Sequence, residues 1–235
     1  MHDARKVDFD RYADDYDDLL ARDTGFFANA DYFAEYKVAL TARLVPRQIA
    51  RLHEFGCGTG RNLPLLRKHF PSSRIWASDI SRRSLELAAV NCRDAILWQE
   101  GVESPGAPCD EQDLVFVAGV FHHVAPDQRS SVMDRLASRL GPHGHLVVFE
   151  HNPYNPVTRR IVGRCPFDAD AVLLKPGELQ SLGTRAGLTH LRTDYTLFFP
   201  RLLDIARAME RYLRRVPLGG QYVTVFRKDQ SGRTN

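Results

Sequence analysis

The segment Glu54-Phe55-Gly56-Cys57-Gly58-Thr59-Gly60 has the composition of a turn that cradles a ligand. Glycine lets the backbone bend tightly and lets a bound molecule approach the chain without meeting a Cβ. A short, largely apolar run, QIARLHEF, leads into these residues, and a helical pattern, RNLPLLRKHF, leaves them. Strand, glycine turn and helix in that order make the ligand-binding corner of open α/β sheets. A glycine run alone is equally compatible with a tight turn that binds nothing. Its neighbours argue for a ligand and for its kind. Glu54 puts a carboxylate immediately before the glycines, which suits an amino group or a sulfonium better than a pyrophosphate. No Lys-Ser or Lys-Thr pair follows, so the loop is not a P-loop. Asp79 ends the next apolar run, nineteen positions beyond Gly60. A carboxylate there can accept hydrogen bonds from both hydroxyls of a ribose.

A second set of polar residues follows two later apolar runs. His122 and His123 come after DLVFVAGVF, and HLVVFE runs through Glu150 into His151 and Asn152. Open sheets collect their ligands at the carboxyl ends of the strands, and imidazole titrates near neutrality. His122, His123, Glu150 and His151 are therefore the candidate catalytic residues. The competing reading makes either histidine of the pair a packing residue against the glycine loop. On that reading Glu150 and His151 only organise the next connection. Cys165, beside Pro166, reads as a small buried residue rather than a nucleophile.

These groups need a scaffold, and the pattern of the chain predicts one. RIWAS up to Asp79, AILWQ and DLVFVAG read as strands after the first, followed by HLVVFE. Between them SRRSLELAAVNC reads as a helix with Ser81 as N-cap, and DQRSSVMDRLASRLG as one that stops at Gly141-Pro142. After the helix GELQSLGTRAG come a strand candidate HLRTDYTLFF, a helix RLLDIARAMERYLRRV and a last strand QYVTVFR. Strands alternating with helices imply βαβ units and a mostly parallel sheet. One domain over residues 1–235 is expected: a helical lid over 1–45, a core over 46–150, and acceptor-cap segments over 151–175 and 200–220. The first cap segment is too elaborate for a simple connection, and its two Asn-Pro steps stiffen it. In the second, arginines lie off an apolar stripe. That face is either solvated or meets a phosphate-bearing or membrane-associated acceptor.

Composition narrows the class. The 235 residues are 43% hydrophobic and 26% charged, an ordinary globular balance, and the formal charge of +3 is too small to argue for nucleic acid. The four cysteines are scattered without a CxxC pair, which suits a reducing compartment and offers no metal-binding pattern. The opening MHDARKVDFDRY lacks the apolar core of a secretory signal, so a cytoplasmic protein is expected.

Taken together, E-F-G-C-G-T-G resembles motif I of the class I S-adenosylmethionine-dependent methyltransferases, and Asp79 matches their acidic ribose-binding residue. D-L-V-F-V-A-G-V-F-H-H-V is similar to their fourth-strand motif, and Phe9-Asp10, Ala13 and Tyr16-Asp17 resemble the first helix of the ubiquinone/menaquinone-type branch. The resemblance covers residues 9–150 by motif and the final strands by order. It implies an α/β, Rossmann-like, seven-stranded, mostly parallel sheet with helices on both faces. It also implies S-adenosyl-L-methionine as cofactor. The acceptor would be a small molecule or a glycan- or lipid-linked one, methylated on oxygen, with no nucleic acid partner. Peripheral membrane contact and the oligomeric state stay open.

The resemblance also implies roles. Glu54 would hold the cofactor's amino group, directly or through water, while Gly56, Cys57 and Gly58 pass beneath its methionine part. Asp79 would bind the ribose and Ile80 would press on the adenine. Gly101 and Val102, with Glu100, would meet the adenine amino group, although Q-E-G-V-E departs from the usual Asp-Ala. Ala118 would lie beside the sulfonium, and Tyr16 would close over the cofactor if its helix is a lid. Methyl transfer is an in-line displacement whose rate depends on holding the acceptor close to the methyl. A base acting on a hydroxyl acceptor adds about 10²–10⁴-fold. Three alternatives stay open: an NAD-dependent oxidoreductase of related fold, a non-catalytic nucleotide-binding protein, and an RNA methylase.

Overall fold

A computed structural model describes residues 7–13, 30–101, 111–199 and 209–230. In chain order its helices are α1 (Phe9–Tyr12), α2 (Ala30–Leu44), α3 (Leu63–His69), α4 (Arg82–Asn91), α5 (Arg129–Arg139), α6 (Pro156–Val162), α7 (Pro176–Arg185) and α8 (Glu210–Leu213). The strands are β1 (Arg51–Phe55), β2 (Arg74–Asp79), β3 (Ile96–Gln99), β4 (Gln112–Ala118), β5 (Leu140–His151), β6 (Leu188–Thr196) and β7 (Gln221–Lys228). They form one sheet of order β3-β2-β1-β4-β5-β7-β6. β7 runs antiparallel to both its neighbours, and the other pairings are parallel.

The continuous apolar runs of β4 and β5 follow from burial on both faces. Successive strand side chains point to opposite sides. Leu114, Phe116, Val147 and Phe149 therefore pack on one face, and Val115, Val117, Leu146 and Val148 on the other. Val38 of α2, Leu63 and Leu66 of α3 and Ala88 of α4 cover the first face. Val132, Met133 and Leu136 of α5 and Leu179 and Leu182 of α7 cover the second. Each fully buried side chain of this size contributes about 1.5–3 kcal/mol. The chain runs outward from β1 through β2 to β3 and returns to β4 on the other side of β1. A crevice opens above its carboxyl end.

The expected seven strands are all present, and Ser81 caps α4 by accepting from Ser84 N at 3.0 Å. The helix expected to stop at Gly141-Pro142 ends at Arg139, and β5 begins directly after it at Leu140. Pairing then jumps from Gln112↔Leu140 to Leu114↔His145, so the intervening residues bulge out of the ladder. Residues 151–175, expected to be too elaborate for a simple connection, contain a helix and a 3₁₀ turn. Asn155 accepts from Val157 N (2.9 Å) and Thr158 N (3.1 Å), which makes it the N-cap of α6 with Pro156 as first helical residue. A 3₁₀ turn, Pro166–Asp168, follows.

Asn152 was grouped with the acceptor edge, but it is fully buried and structural. Its amide donates to Pro217 O (3.1 Å) and Gly219 O (2.7 Å), clasping the chain to the turn before β7. At the other end of the molecule, Asp10 of α1 accepts from Ser81 Oγ (2.5 Å) and Arg83 N (3.1 Å). Val7 N donates to Asp170 Oδ2 (3.0 Å), so α1 bridges the start of α4 and the segment after α6. Tyr16, Val102 and residues 200–208 lie outside the described residues. Among those described, no helix is long and apolar enough to cross a membrane.

Candidate functional site

Above β1 lies a cavity of about 390 Å³, walled by the ends of β1, β2 and β4 and by residues of α1 and α2. The glycine loop is its floor. Gly58 and Gly60 both have positive φ, +52° and +81°, a region that side chains rarely adopt. They differ in what a Cβ would meet. At Gly60 it would lie 2.8 Å from Ala88 Cα, whereas at Gly58 nothing stands within 4 Å. Gly60 is thus the packing glycine, and Gly58 faces open cavity. Gly60→Ala is expected to destabilise the fold by about 1–3 kcal/mol through overpacking against α4. Gly58→Ala should cost only backbone strain, about 1–2 kcal/mol, and put a methyl into the ligand space. Thermal melts with and without S-adenosylhomocysteine check the pair. Gly60→Ala should lower the melting point of the free chain more, and Gly58→Ala should lose more of the ligand-induced rise.

Asp79 ends β2 at the cavity wall. Its Oδ2 accepts from Gly58 N at 2.8 Å and its Oδ1 from Ser81 N at 2.9 Å. The carboxylate therefore ties the glycine loop to the start of α4. Each oxygen keeps a further lone pair for a ligand. Burial pushes its pKa up, against the pull of these N–H groups. Ile80, Gly101 and Ala118 line the same cavity, as do Gly56 and Cys57. Burial raises the Cys57 thiol well above its usual range, so it carries no thiolate. Glu100 also reaches the wall, but its carboxylate is held by Arg139 at 2.9 and 3.2 Å and by Arg135 at 3.6 Å.

Glu54 sits one layer deeper. It is 1% exposed, and Asn62 Nδ2 donates to its Oε1 at 2.7 Å, while Oε2 is buried without a hydrogen bond. This explains why Asn62 precedes α3 without capping it through its side chain. Asn62 and Lys37 of α2 stand in the cavity wall. Burial pushes the Glu54 carboxyl up to about 8 and lowers the Lys37 ammonium.

The polar group after β4 and β5 forms a buried cluster beside the cavity. Glu150 Oε1 accepts from Val120 N (3.0 Å) and Phe121 N (2.7 Å), and its Oε2 lies 2.7 Å from His122 Nδ1. Burial opposes a charge on His122, but Glu150 and then Asp168 outweigh it and raise the imidazole to about 10. His151 packs on the His122 ring at 4.8 Å, and burial followed by the His122 charge brings it down to about 4. The same two causes bring His123 to about 4, a neutral imidazole at pH 7. Of the four candidate catalytic residues only His123 borders the cavity, where Phe9 meets its ring edge-on at 5.0 Å. A 3₁₀ turn, Phe121–His123, carries the pair, whose rings pack on each other with centroids 4.0 Å apart. Only the His123 ring reaches the cavity wall.

Sequence reasoning missed Lys37, Asp168 and Asp170. A lone cation within the apolar text of α2, AEYKVAL, was the available signal for Lys37. Asp168 and Asp170 carried none, since their position depends on how the chain returns from α6.

Residues 53–146 match the family model described as a methyltransferase domain. Over 127 residues the chain is 26% identical to trans-aconitate 2-methyltransferase of Azoarcus sp. (strain BH72), covering 54% of this chain and 49% of that protein. Over 123 residues it is 28% identical to ribosomal RNA small subunit methyltransferase C of Pseudomonas aeruginosa (strain UCBPP-PA14), covering 48% and 36%. The chain thus spans half or less of the length of these curated relatives. A solved S-adenosylmethionine-dependent methyltransferase from Archaeoglobus fulgidus superposes with a TM-score of 0.66 at 14% identity, over 87% of this chain and 97% of that one. That likeness establishes the fold. Residues 53–146 thus match a methyltransferase domain, within a chain that has the Rossmann-like fold of S-adenosylmethionine-dependent methyltransferases.

Proposed function

We propose that this chain transfers the methyl group of S-adenosylmethionine to a hydroxyl of a small-molecule, glycan-linked or lipid-linked acceptor. The observation that carries the reading is the pairing, across one cavity, of the Asp79 carboxylate with the neutral imidazole of His123. The cavity suits the cofactor. Open space lies over Gly58 and Gly101, and the buried Glu54 Oε2 lacks a hydrogen bond that an ammonium could supply. When bound, the cofactor supplies an already activated methyl group. Asp79 holds the ribose, Ile80 covers the adenine, and Glu54 reaches the amino group by a shift of Asn62 or Lys37 or through water. Phe9, Ala13 and Phe33 from the N-terminal helices stand in the wall and act as a lid that keeps water from the reacting atoms. His123 hydrogen-bonds the acceptor oxygen and keeps it pointed at the methyl.

Acceptor choice falls to the segment after β5. Tyr154 and Val157 are 50% and 46% exposed next to the exposed Arg159 and Arg160, a surface that suits a lipid-linked acceptor. Two measurements test the reading. Asp79→Ala should weaken S-adenosylmethionine binding by about 1–3 kcal/mol in calorimetry, and equal affinities would remove Asp79 from the site. A screen with radiolabelled donor should label hydroxyl acceptors. Labelling confined to amines, carboxylates or ribosomal RNA would overturn the proposed acceptor class while leaving the cofactor assignment standing.

A further inference from the structure

We propose that His122, His123 and Asp168 form a binding site for a divalent transition-metal ion beside the cavity. The residues come from two separate 3₁₀ turns, one after β4 and one after α6. One possible ligand atom from each lies within 4.8 Å of the other two. Asp168 Oδ1 is 3.5 Å from His122 Nε2 and 3.3 Å from His123 Nε2. A tetrahedral ion with bonds near 2.0–2.2 Å separates its ligand atoms by about 3.4 Å, and the two measured edges bracket that value. Two imidazoles and one carboxylate are a ligand set for zinc and its first-row neighbours. Three protein ligands leave a position for a further group. His123 and the adjacent Asp170 border the cavity, so the cluster adjoins its acceptor end.

A second observation points to the same place. Asp168 is 8% exposed, yet its Oδ1 is buried without a hydrogen bond. A bound ion would give that oxygen the partner that the imidazoles at 3.3 and 3.5 Å do not supply as hydrogen bonds. The outer layer is also built. Glu150 occupies Nδ1 of His122 at 2.7 Å and is itself fixed by two backbone N–H groups. Once the ion displaces the proton from Nε2, the carboxylate on the far ring nitrogen keeps the remaining proton at Nδ1. Asp168 and Glu150 together balance the ion's two positive charges. An ion pair of protonated His122 with its two carboxylates accounts for His122, but it leaves Asp168 Oδ1 without a hydrogen bond.

The site is defined by this chain's side chains and does not depend on the identity of the acceptor. Tag-free full-length protein, stripped with chelator, is titrated with zinc chloride in a calorimeter. One saturable site is expected, with a micromolar or tighter dissociation constant. Asp168→Asn and His123→Gln should each weaken it by about tenfold or more. Binding of S-adenosylhomocysteine by Asp168→Asn should be unchanged, which shows that the fold and the cofactor site are intact. Crystals grown with zinc should give an anomalous peak between the three side chains. Absence of saturable binding, undiminished affinity in both variants, or a peak elsewhere would overturn the proposal. If Asp168→Asn does not fold, His123→Gln decides by the same titration, because its ring borders open cavity.

Discussion

Replacing Glu150 by alanine is expected to cost about 3–5 kcal/mol of folding stability, the range for breaking a buried charge pair by removing one partner. The carboxylate is 1% exposed and holds three donors: the N–H groups of Val120 and Phe121 and the ring of His122. Alanine leaves all three without their acceptor, Phe121 N and the His122 ring in a buried space. The His122 charge is the most expensive of them, because Glu150 is the larger of the two influences that sustain it. Glu150→Gln should lose less. Its carbonyl oxygen can still accept from both backbone groups, although its amide cannot balance the imidazolium. Urea unfolding of the three proteins measures the series through the shift in midpoint at constant slope. A loss below about 1 kcal/mol for the alanine variant would mean that the turn after β4 holds its shape without this carboxylate.

The second large effect is a pH dependence located at Glu54. Burial raises its carboxyl to about 8 in the free chain, against 4.5 for the ordinary group. The sign follows from proton uptake. Between about pH 4.5 and 8 the folded chain binds more protons at this position than the unfolded chain. The contribution of Glu54 to stability therefore falls as pH rises through the window. Glu54→Gln, a neutral group of the same shape, should match wild type near pH 5. It should then become the more stable protein toward pH 8, by up to about 1.4 kcal/mol per pH unit. Taking the difference between the two proteins removes the titrations of His122, which runs the same way, and of His123 and His151, which oppose it. If the cofactor's amino group pairs with ionised Glu54, binding should release a proton in this window. The release should vanish in Glu54→Gln, as read by calorimetry in buffers of different ionisation heat. A stability difference that does not change with pH would mean that Glu54 is already ionised in the free chain.

Much of the cofactor side was legible in the residues because its determinants are local. A carboxylate at a strand end, a glycine that must take positive φ and a serine that caps the next helix each act within a few residues of themselves. Asp79, Gly58 and Ser81 accordingly stand where their spacing put them. Glu54 was legible in type but not in depth. Its carboxyl was expected at the ligand, and it lies behind Asn62 because α2 and α3 close over the first face of the sheet. The His122-His123 pair was legible as a pair, while which ring reaches the cavity depended on a 3₁₀ turn that no periodicity announces. Asp168 gave no signal at all.

The sequence by itself determined the alternation of strands and helices, the glycine corner and the position of the carboxylate that ends β2. Short-range sterics and side-chain periodicity settle these before any distant contact forms. Only the tertiary structure decided which polar groups became neighbours. Glu150 lies 28 positions from His122 in sequence and 2.7 Å from it in space. Asp168 arrives from beyond α6 to 3.5 Å from the same ring. Whether an imidazole carries a proton, stays neutral or offers a lone pair to a metal depends on through-space distance and on the exclusion of water. Both are properties of how strands four and five and the segment that follows them pack together, not of any residue in its local text.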